Sequence, residues 1–221
     1  MIHHEYLPRT HLIQVERLNR AGVGWAGART DRLEVWNEDW RIRAEGNQHL
    51  LDLESGDGAF GVSLQLTEER QPVLHGREGF SQKGLEIGNA SHYYSLTRMP
   101  TVGRITLGDQ MIDVTGLTWM DHEFGSSFLE PSQRGWDWFS LQLDDGSDLM
   151  VYVIRRIDGL PHPRSGGTWV DAGGELRHLA VGDFRLIPGR TWTSPASGAR
   201  YPVEWKIEVP SIELFLDVQT E

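Results

Sequence analysis

Apolar and polar residues alternate with a period of two along most of the chain, and Gly, Asp, Asn or Pro interrupt the alternation at short intervals. This pattern predicts antiparallel β-strands joined by tight turns. The clearest hairpin pairs residues 49–54 with 60–67, and a second pairs residues 136–143 with 149–156. No segment has the periodicity of a helix longer than about three turns. The sequence therefore predicts an all-β protein.

Three further predictions concern strand limits. Residues 11–18 are predicted to form the first strand. Residues 31–44 are predicted to form one long strand with a bulge or bend in its middle, because the parity of the apolar positions shifts there. Residues 91–99 and 104–107 are predicted to form two separate strands.

The chain is acidic, with a net charge of −11 over 221 residues, and it has no basic cluster. We therefore expect neither nucleic acid nor an anionic membrane surface as a partner. There are no cysteines, which excludes thiol catalysis, disulfides and cysteine-bound zinc. No window approaches the roughly 18 apolar residues of a transmembrane helix.

The first residues do not have the pattern of a secretory signal peptide. As written, the sequence is expected to be soluble. The compartment stays open, since an N-terminal extension carrying a signal peptide would make the protein periplasmic or secreted.

The region between Trp119 and Trp138 combines the densest group of ionisable residues with three tryptophans. Asp121, His122 and Glu123 are adjacent, so on a strand the two carboxylates share one face and His122 takes the other. Two carboxylates beside an apolar wall can share or exchange a proton, with His122 as an orienting group or an acid. The alternative is structural, with the carboxylates paired to arginines and His122 bonded to a backbone carbonyl.

A metal site is not predicted from this trio. Neighbouring residues on a strand cannot all reach one ion, and the chain has no His-x-His or His-Glu-x-x-His spacing. Glycine-rich phosphate loops and a Gly-x-Ser-x-Gly elbow are also missing from the sequence, so we expect no cofactor.

The segment that starts at Trp136 has two distinct faces. One face carries Trp136, Trp138, Ser140 and Gln142, and the other carries Asp137, Phe139, Leu141 and Leu143. Indoles beside small polar groups suit a ligand pocket, although two tryptophans can also pack in a core. Asp137 is expected either near a rim or buried with a partner.

Several motifs occur in a defined order, at residues 93–98, 114–116, 119–125, 135–139, 143–146, 149–152 and 192–195. Together they resemble the AttH/carotenoid-hydratase family, which includes hydroxyneurosporene synthase. The resemblance covers essentially the whole chain. It implies two lipocalin-like antiparallel β-barrels packed side by side, formed by residues 1–130 and 131–221.

Family members usually begin further upstream and continue further downstream. The resemblance therefore implies that the first barrel lacks its first strands and the second lacks its last strand. Incomplete barrels have open sheet edges, and such edges could pair in a homodimer.

The resemblance also implies chemistry, namely hydration of an alkene in an apolar, isoprenoid-like substrate. Asp121 or Glu123 would protonate the alkene, aromatic rings would stabilise the carbocation, and a water held by His122 or Asp137 would add. The expected substrate-binding residues are Tyr94, Arg98, Trp119, Trp136, Trp138 and Tyr152. Whether the chain is an enzyme stays open, because a non-catalytic carrier of lipids or other apolar molecules would use the same pocket. A hydrolase, the label of many relatives, is a further alternative.

Overall fold

A computed structural model describes residues 15–86, 88–126 and 129–219, and these residues fold almost entirely into antiparallel β-sheet. Within these ranges, a 3₁₀ turn at Pro210–Ile212 is the only helical segment. The predicted all-β, antiparallel fold class is confirmed. In the same ranges no sheet closes into a complete barrel.

The largest sheet contains nine strands of the described chain. They are β1 (Ala26–Ala28), β2 (Glu34–Asn37), β3 (Trp40–Glu45), β4 (Gln48–Glu54), β5 (Phe60–Thr67), β6 (Val73–Leu74), β7 (Phe80–Gln82), β8 (Ala90–Leu107) and β9 (Gln110–Gly125). The strands follow the order β1-β2-β3-β4-β5-β8, and β8 also pairs with β6, β7 and β9.

Nine more strands form three smaller sheets in the described chain. They are β10 (Gln133–Gln142), β11 (Asp148–Arg156), β12 (Gly166–Val170), β13 (Leu176–Ala180), β14 (Arg185–Pro188), β15 (Thr191–Thr193), β16 (Arg200–Pro202), β17 (Glu204–Val209) and β18 (Leu214–Gln219). The sheet orders are β10-β11-β12-β13, β14-β17-β18 and β15-β16.

Two compact units alternate along the sequence. Unit 1 contains the described residues of 15–69 and 99–118, and unit 2 contains those of 70–98 and 119–219. Strands β8 and β9 each contribute one part to each unit. The sequence analysis instead divides the chain at one point, into lipocalin-like barrels formed by residues 1–130 and 131–221. That assignment stays a prediction.

Both predicted hairpins form. Strand β4 pairs with β5, and β10 pairs with β11, with Trp136 opposite Ile154 and Trp138 opposite Tyr152. The prediction of one long strand over residues 31–44 is wrong. Residues there form the hairpin β2–β3, and Glu38 in its turn has a left-handed φ of 60°. The turn itself causes the shift of parity that the sequence shows.

The prediction of two strands around Pro100 is also wrong, because β8 is continuous over 18 residues. Pro100 lies between the residues that pair with β6 and those that pair with β5. Its missing N–H therefore costs no ladder hydrogen bond to either strand. Of the predicted strand 11–18, residues 11–14 lie outside the described residues, and residues 15–18 are not in a strand.

The core of unit 2 lies between two of its sheets. Leu149 and Val151 of β11 are fully buried together with Ile207 and Val209 of β17. Apolar residues on one face of β10, Phe139 among them, pack against this cluster. The core therefore takes up only one face of β10, and the face that carries Trp136 and Trp138 is left for another use.

A buried carboxylate, that of Asp148, is the centre of a hydrogen-bonded cluster in unit 2. Asp148 is 0% exposed and accepts hydrogen bonds from Arg98 at 3.0 and 2.8 Å, from Arg70 at 3.0 Å and from Thr97 at 2.8 Å. A buried charge is tolerated when several donors replace its water. These bonds tie β8 to the start of β11.

We predict that Asp148→Ala lowers the free energy of unfolding by about 3–5 kcal/mol, because it leaves two partly buried arginines without their carboxylate. Urea denaturation would measure the loss. Asp158→Ala is the control, since it removes an ion pair to Arg156 that both partners expose to solvent. Equal effects of the two substitutions would contradict a stabilising role for the Asp148 cluster.

Candidate functional site

Unit 2 contains a cavity of about 630 Å³. Sites for small molecules usually have volumes of about 300–1,000 Å³ and mostly apolar walls. The apolar part of this wall consists of Ala90, Phe124, Gly125, Leu129, Trp136, Trp138, Tyr152 and Ile154. The polar part consists of Lys83, Asn89, Ser91, Tyr93, Glu123 and Gln133.

The period of two on β8 and β9 places both carboxylates on one face of the sheet and His122 on the other. Glu123 accepts a hydrogen bond from Ser91 at 2.5 Å, and Asp121 accepts one from Tyr93 at 2.9 Å. His122, between them, instead lies 3.3 Å from the hydroxyl of Tyr94. The predicted separation of the two carboxylates from His122 therefore matches the geometry.

An ion pair in the cavity wall joins Glu123 to Lys83, with 3.0 Å between Oε1 and Nζ. The ammonium also lies 4.4 Å from the ring centre of Tyr152 and 5.1 Å from that of Tyr93. Ring faces attract a cation, so they help to hold this charge among apolar groups. Glu123 receives both of these polar contacts, from Ser91 and from Lys83, as an acceptor.

The main chain around Lys83 is fixed from several sides. Its N–H donates to Asn89 at 2.8 Å, and its carbonyl accepts from the buried side chain of Gln133 at 2.7 Å. At the next residue, a Cβ on Gly84 would lie 2.0 Å from Glu130 and 2.2 Å from Asn89. A larger residue there would have to displace the ends of both side chains, and the tight loop presents the lysine to the cavity.

A chain of hydrogen bonds extends from the cavity wall into the interior of unit 2. Ser95 donates to Asp121, so its oxygen accepts from Nε2 of His75 at 2.7 Å. Nδ1 of His75 then accepts from the hydroxyl of Thr168 at 3.0 Å. Within this network His75 is a neutral ring with its hydrogen on Nε2.

Burial is the main cause of the large pKa shifts of His75 and Tyr93 in this network. Burial, followed by the positive charge of Lys83, lowers the pKa of His75 from 6.5 to about 3. Burial, followed by the charge of Asp121, raises the pKa of Tyr93 above its ordinary value. Tyr93 therefore keeps its phenolic hydrogen at neutral pH and acts as a donor to Asp121, while its oxygen accepts from Trp138 at 3.3 Å.

Four of the residues predicted for the site line the cavity together, namely Glu123, Trp136, Trp138 and Tyr152. The two indoles are 58% and 40% exposed, so they are wall residues and not part of the core. Asp121 is connected to the wall through Tyr93. The catalytic and binding roles given to these residues stay predictions.

His122 and Tyr94 lie on the opposite face of the sheet from Glu123. Their rings stack with centres 5.2 Å apart, in a partly exposed aromatic group. Ser91 and His92 are adjacent on β8 and also lie on opposite faces, since His92 stacks on Phe124 at 5.4 Å. Ser91, His92 and Asp121 therefore do not form the hydrogen-bonded triad that a serine hydrolase would need.

The other predicted site residues lie away from the cavity wall. Arg98 belongs to the Asp148 cluster. Asp137 lies on the other face of β10, where Arg155 is 3.6 Å away, and burial raises its pKa while Arg155 opposes the rise. Trp119 is not a lining residue, and its buried indole N–H has no hydrogen-bond partner in the described chain.

Lys83 is the main site residue that the sequence analysis missed. It lies in a glycine-rich stretch that the alternation pattern leaves as a loop. One signal was available, because only Lys83 and Lys206 among 21 basic residues are lysines. Arginine is the usual choice for fixed ion pairs, whereas lysine serves as a compact point charge.

The described ranges contain no helix long and apolar enough to cross a membrane. They also contain no group of three or more His, Asp or Glu side chains arranged to hold a metal ion.

Comparison with known proteins identifies the family. A sequence profile of the AttH-like family matches residues 4–221. The chain belongs to the AttH-like family. The resemblance noted from the sequence motifs is thereby confirmed.

Two solved structures are similar to this AttH-like chain. An AttH protein of Nitrosomonas europaea is 34% identical, with a TM-score of 0.78, and the match covers 87% of this chain and 60% of that one. Kievitone hydratase of Nectria haematococca is 19% identical, with a TM-score of 0.62, and the match covers 80% and 55%. At that level of identity the second likeness shows the fold alone.

One curated relative is the dehydratase asqC of Emericella nidulans. It is 23% identical over 167 residues, and the match covers 72% of this AttH-like chain and 46% of the relative. The chain thus spans about half the length of this relative.

The lowered pKa of His75 makes the stability of the folded chain depend on pH. Between pH 6.5 and pH 3 the unfolded chain binds a proton at His75 that the native state does not bind. Stability therefore falls as the pH drops through this window. We expect His75→Asn to remove this component, so its urea midpoint falls less from about pH 7 to about pH 5 than that of the parent protein.

His92→Asn is the matched control, because His92 is exposed on the same strand. Parallel pH profiles for the parent and His75→Asn would show that the native state does not keep His75 neutral.

Proposed function

We propose that this AttH-like protein is an enzyme of the hydro-lyase type, which adds water to an apolar, isoprenoid-like small molecule or removes water from it. One observation carries the proposal: the Glu123–Lys83 ion pair opens onto an aromatic cavity large enough for such a molecule. The pair lies in the wall of a largely apolar cavity, with the side chain of Lys83 22% exposed and that of Glu123 40% exposed, and ionisable groups placed in a cleft are candidates for chemistry.

Proton transfer is the central need of the reaction. In the direction of water loss, the Glu123 carboxylate takes a proton from the carbon beside the carbinol and then gives it to the hydroxyl, which leaves as water. The ammonium of Lys83, 3.0 Å away, pairs with the carboxylate again once the proton has left. Water addition follows the same steps in reverse, and a positioned acid–base group of this kind contributes about 10²–10⁴-fold in rate.

The names of two relatives support this class of reaction. One is called a hydratase and the other a dehydratase, which are the two directions of one reaction. Because this chain spans about half the length of each, its activity and its substrate are inferred from its own site.

The proposal assigns roles to part of the predicted set. Glu123 transfers the proton, and Trp136, Trp138 and Tyr152 hold the apolar part of the substrate. Asp121 is a positioning residue that fixes Tyr93. We leave His122, Asp137, Tyr94, Arg98 and Trp119 out, because none of them lines the cavity.

The route of the reaction depends on the sign of the charge that develops on the substrate. The acid-initiated route predicted from the sequence passes through a carbocation, for which the indole faces of Trp136 and Trp138 would be suitable. The ammonium of Lys83 would instead stabilise an intermediate with negative charge.

We expect Glu123→Gln to lower turnover by about 10²–10⁴-fold while the substrate still binds, because the amide keeps the shape of the side chain but cannot take up a proton. The measurement uses a panel of acyclic isoprenoid alkenes and alcohols in water enriched in oxygen-18. Mass spectrometry then follows the gain of labelled water or the loss of water.

Glu175→Gln is the matched control, since Glu175 is exposed in the β12–β13 turn. Full turnover by Glu123→Gln would refute the role of Glu123. A molecule that the parent protein retains unchanged would instead favour a non-catalytic carrier, for which the largely apolar wall is sufficient.

A further inference from the structure

Lys83 is the one cation among the described residues that line the cavity. Its side chain is 22% exposed. The fixed loop described above places its charge in the wall before any ligand arrives. A charge held in this way is pre-organised for whatever charge develops on a bound molecule.

The ammonium has hydrogen-bonding capacity left for a ligand. It has three N–H donors, and Glu123 takes one of them. It also lies over the rings of Tyr93 and Tyr152. A ring face attracts the charge but does not occupy an N–H donor in the way that a hydrogen bond to an oxygen atom does. By contrast, both ends of the Gln133 amide are used within the chain, at 2.7 and 2.9 Å. Lys83 is therefore the group of the wall best able to bind a polar atom of the substrate.

The balance of charge favours a negative intermediate. When the Glu123 carboxylate takes up a proton it becomes neutral, and the positive charge of Lys83 then lacks a partner. Negative charge on a substrate oxygen would replace the lost partner. A carbocation would form while Glu123 is a carboxylate, and the intact Glu123–Lys83 pair carries no net charge that could stabilise it.

From these contacts we infer that the substrate carries a carbonyl group conjugated to the reacting alkene, with its oxygen bound by Lys83 and its hydrocarbon part on Trp136 and Trp138. This inference rests on the proposed function, since it takes the cavity to be the substrate site. It narrows the substrate class to apolar enones and the corresponding β-hydroxy ketones. A pure hydrocarbon offers no acceptor to the N–H donors of Lys83 that Glu123 leaves unused.

The steps balance for this class. Glu123 removes the hydrogen α to the carbonyl, and the electron pair moves onto the oxygen held by Lys83. The pair then returns to form the alkene as the β C–O bond breaks. The departing hydroxide takes the proton from Glu123 and leaves as water, so one β-hydroxy ketone gives one enone and one water.

The test compares two probes of matched shape, pseudoionone, an acyclic isoprenoid enone, and the hydrocarbon with the same carbon skeleton. Quenching of tryptophan fluorescence reports binding, because Trp136 and Trp138 line the cavity. We expect the parent protein to bind the ketone about ten- to a hundredfold more tightly, the usual effect of a hydrogen bond from a charged donor. Lys83→Met should abolish this preference and keep the affinity for the hydrocarbon. Lys206→Met, at the other lysine of the chain, should keep the preference.

A second readout follows the enolate. Exchange of the α-hydrogens of geranylacetone in D₂O, measured by NMR, should be accelerated by the parent protein, reduced by Lys83→Met and lost in Glu123→Gln. Equal affinity of the parent protein for ketone and hydrocarbon, or an unchanged preference in Lys83→Met, would overturn the inference even if alkene hydration were observed. Preference for the ketone with α-exchange but no gain or loss of water would support the carbonyl site and count against the hydro-lyase proposal.

Discussion

The pairing of β8 with β9 is the constraint on which the rest of the candidate site depends. Successive side chains on a strand point to opposite faces. Asp121 and Glu123 therefore meet Tyr93 and Ser91 on one face of this pair, while His122 meets Tyr94 on the other. Strand geometry alone therefore separates the two carboxylates from the imidazole, although the three residues are adjacent in the sequence.

The same rule explains the other wall of the cavity. One face of β10 packs Phe139 into the core of unit 2, and this packing fixes the strand. The opposite face then has to carry Trp136 and Trp138, and the register of the hairpin sets Tyr152 and Ile154 opposite them. Packing of the apolar residues on the core side of β10 thus fixes the positions of the cavity residues on its other side.

Desolvation gives the site its electrostatic character. His75 is neutral because its surroundings cannot solvate a charge, and it is useful as a relay between Ser95 and Thr168. Lys83 and Glu123 pair with each other in the cavity wall, and two phenol rings face the ammonium. Asp148 follows the same principle in a structural role, since two arginines and a threonine replace its water.

The sequence by itself determined the fold class, the two main hairpins, the family and the faces of the strands, because each depends on local periodicity or on ordered motifs. It also pointed to Glu123, Trp136 and Trp138, since tryptophans and ionisable residues are concentrated in that part of the sequence. The limits of β2, β3 and β8 were missed, because whether Pro100 or Glu38 ends a strand depends on which neighbour pairs with it.

Only the tertiary structure decided that Lys83 meets Glu123, that His75 is buried, and that Arg98 binds Asp148. These contacts join residues that are far apart in the chain, and local pattern does not encode which long-range partners meet.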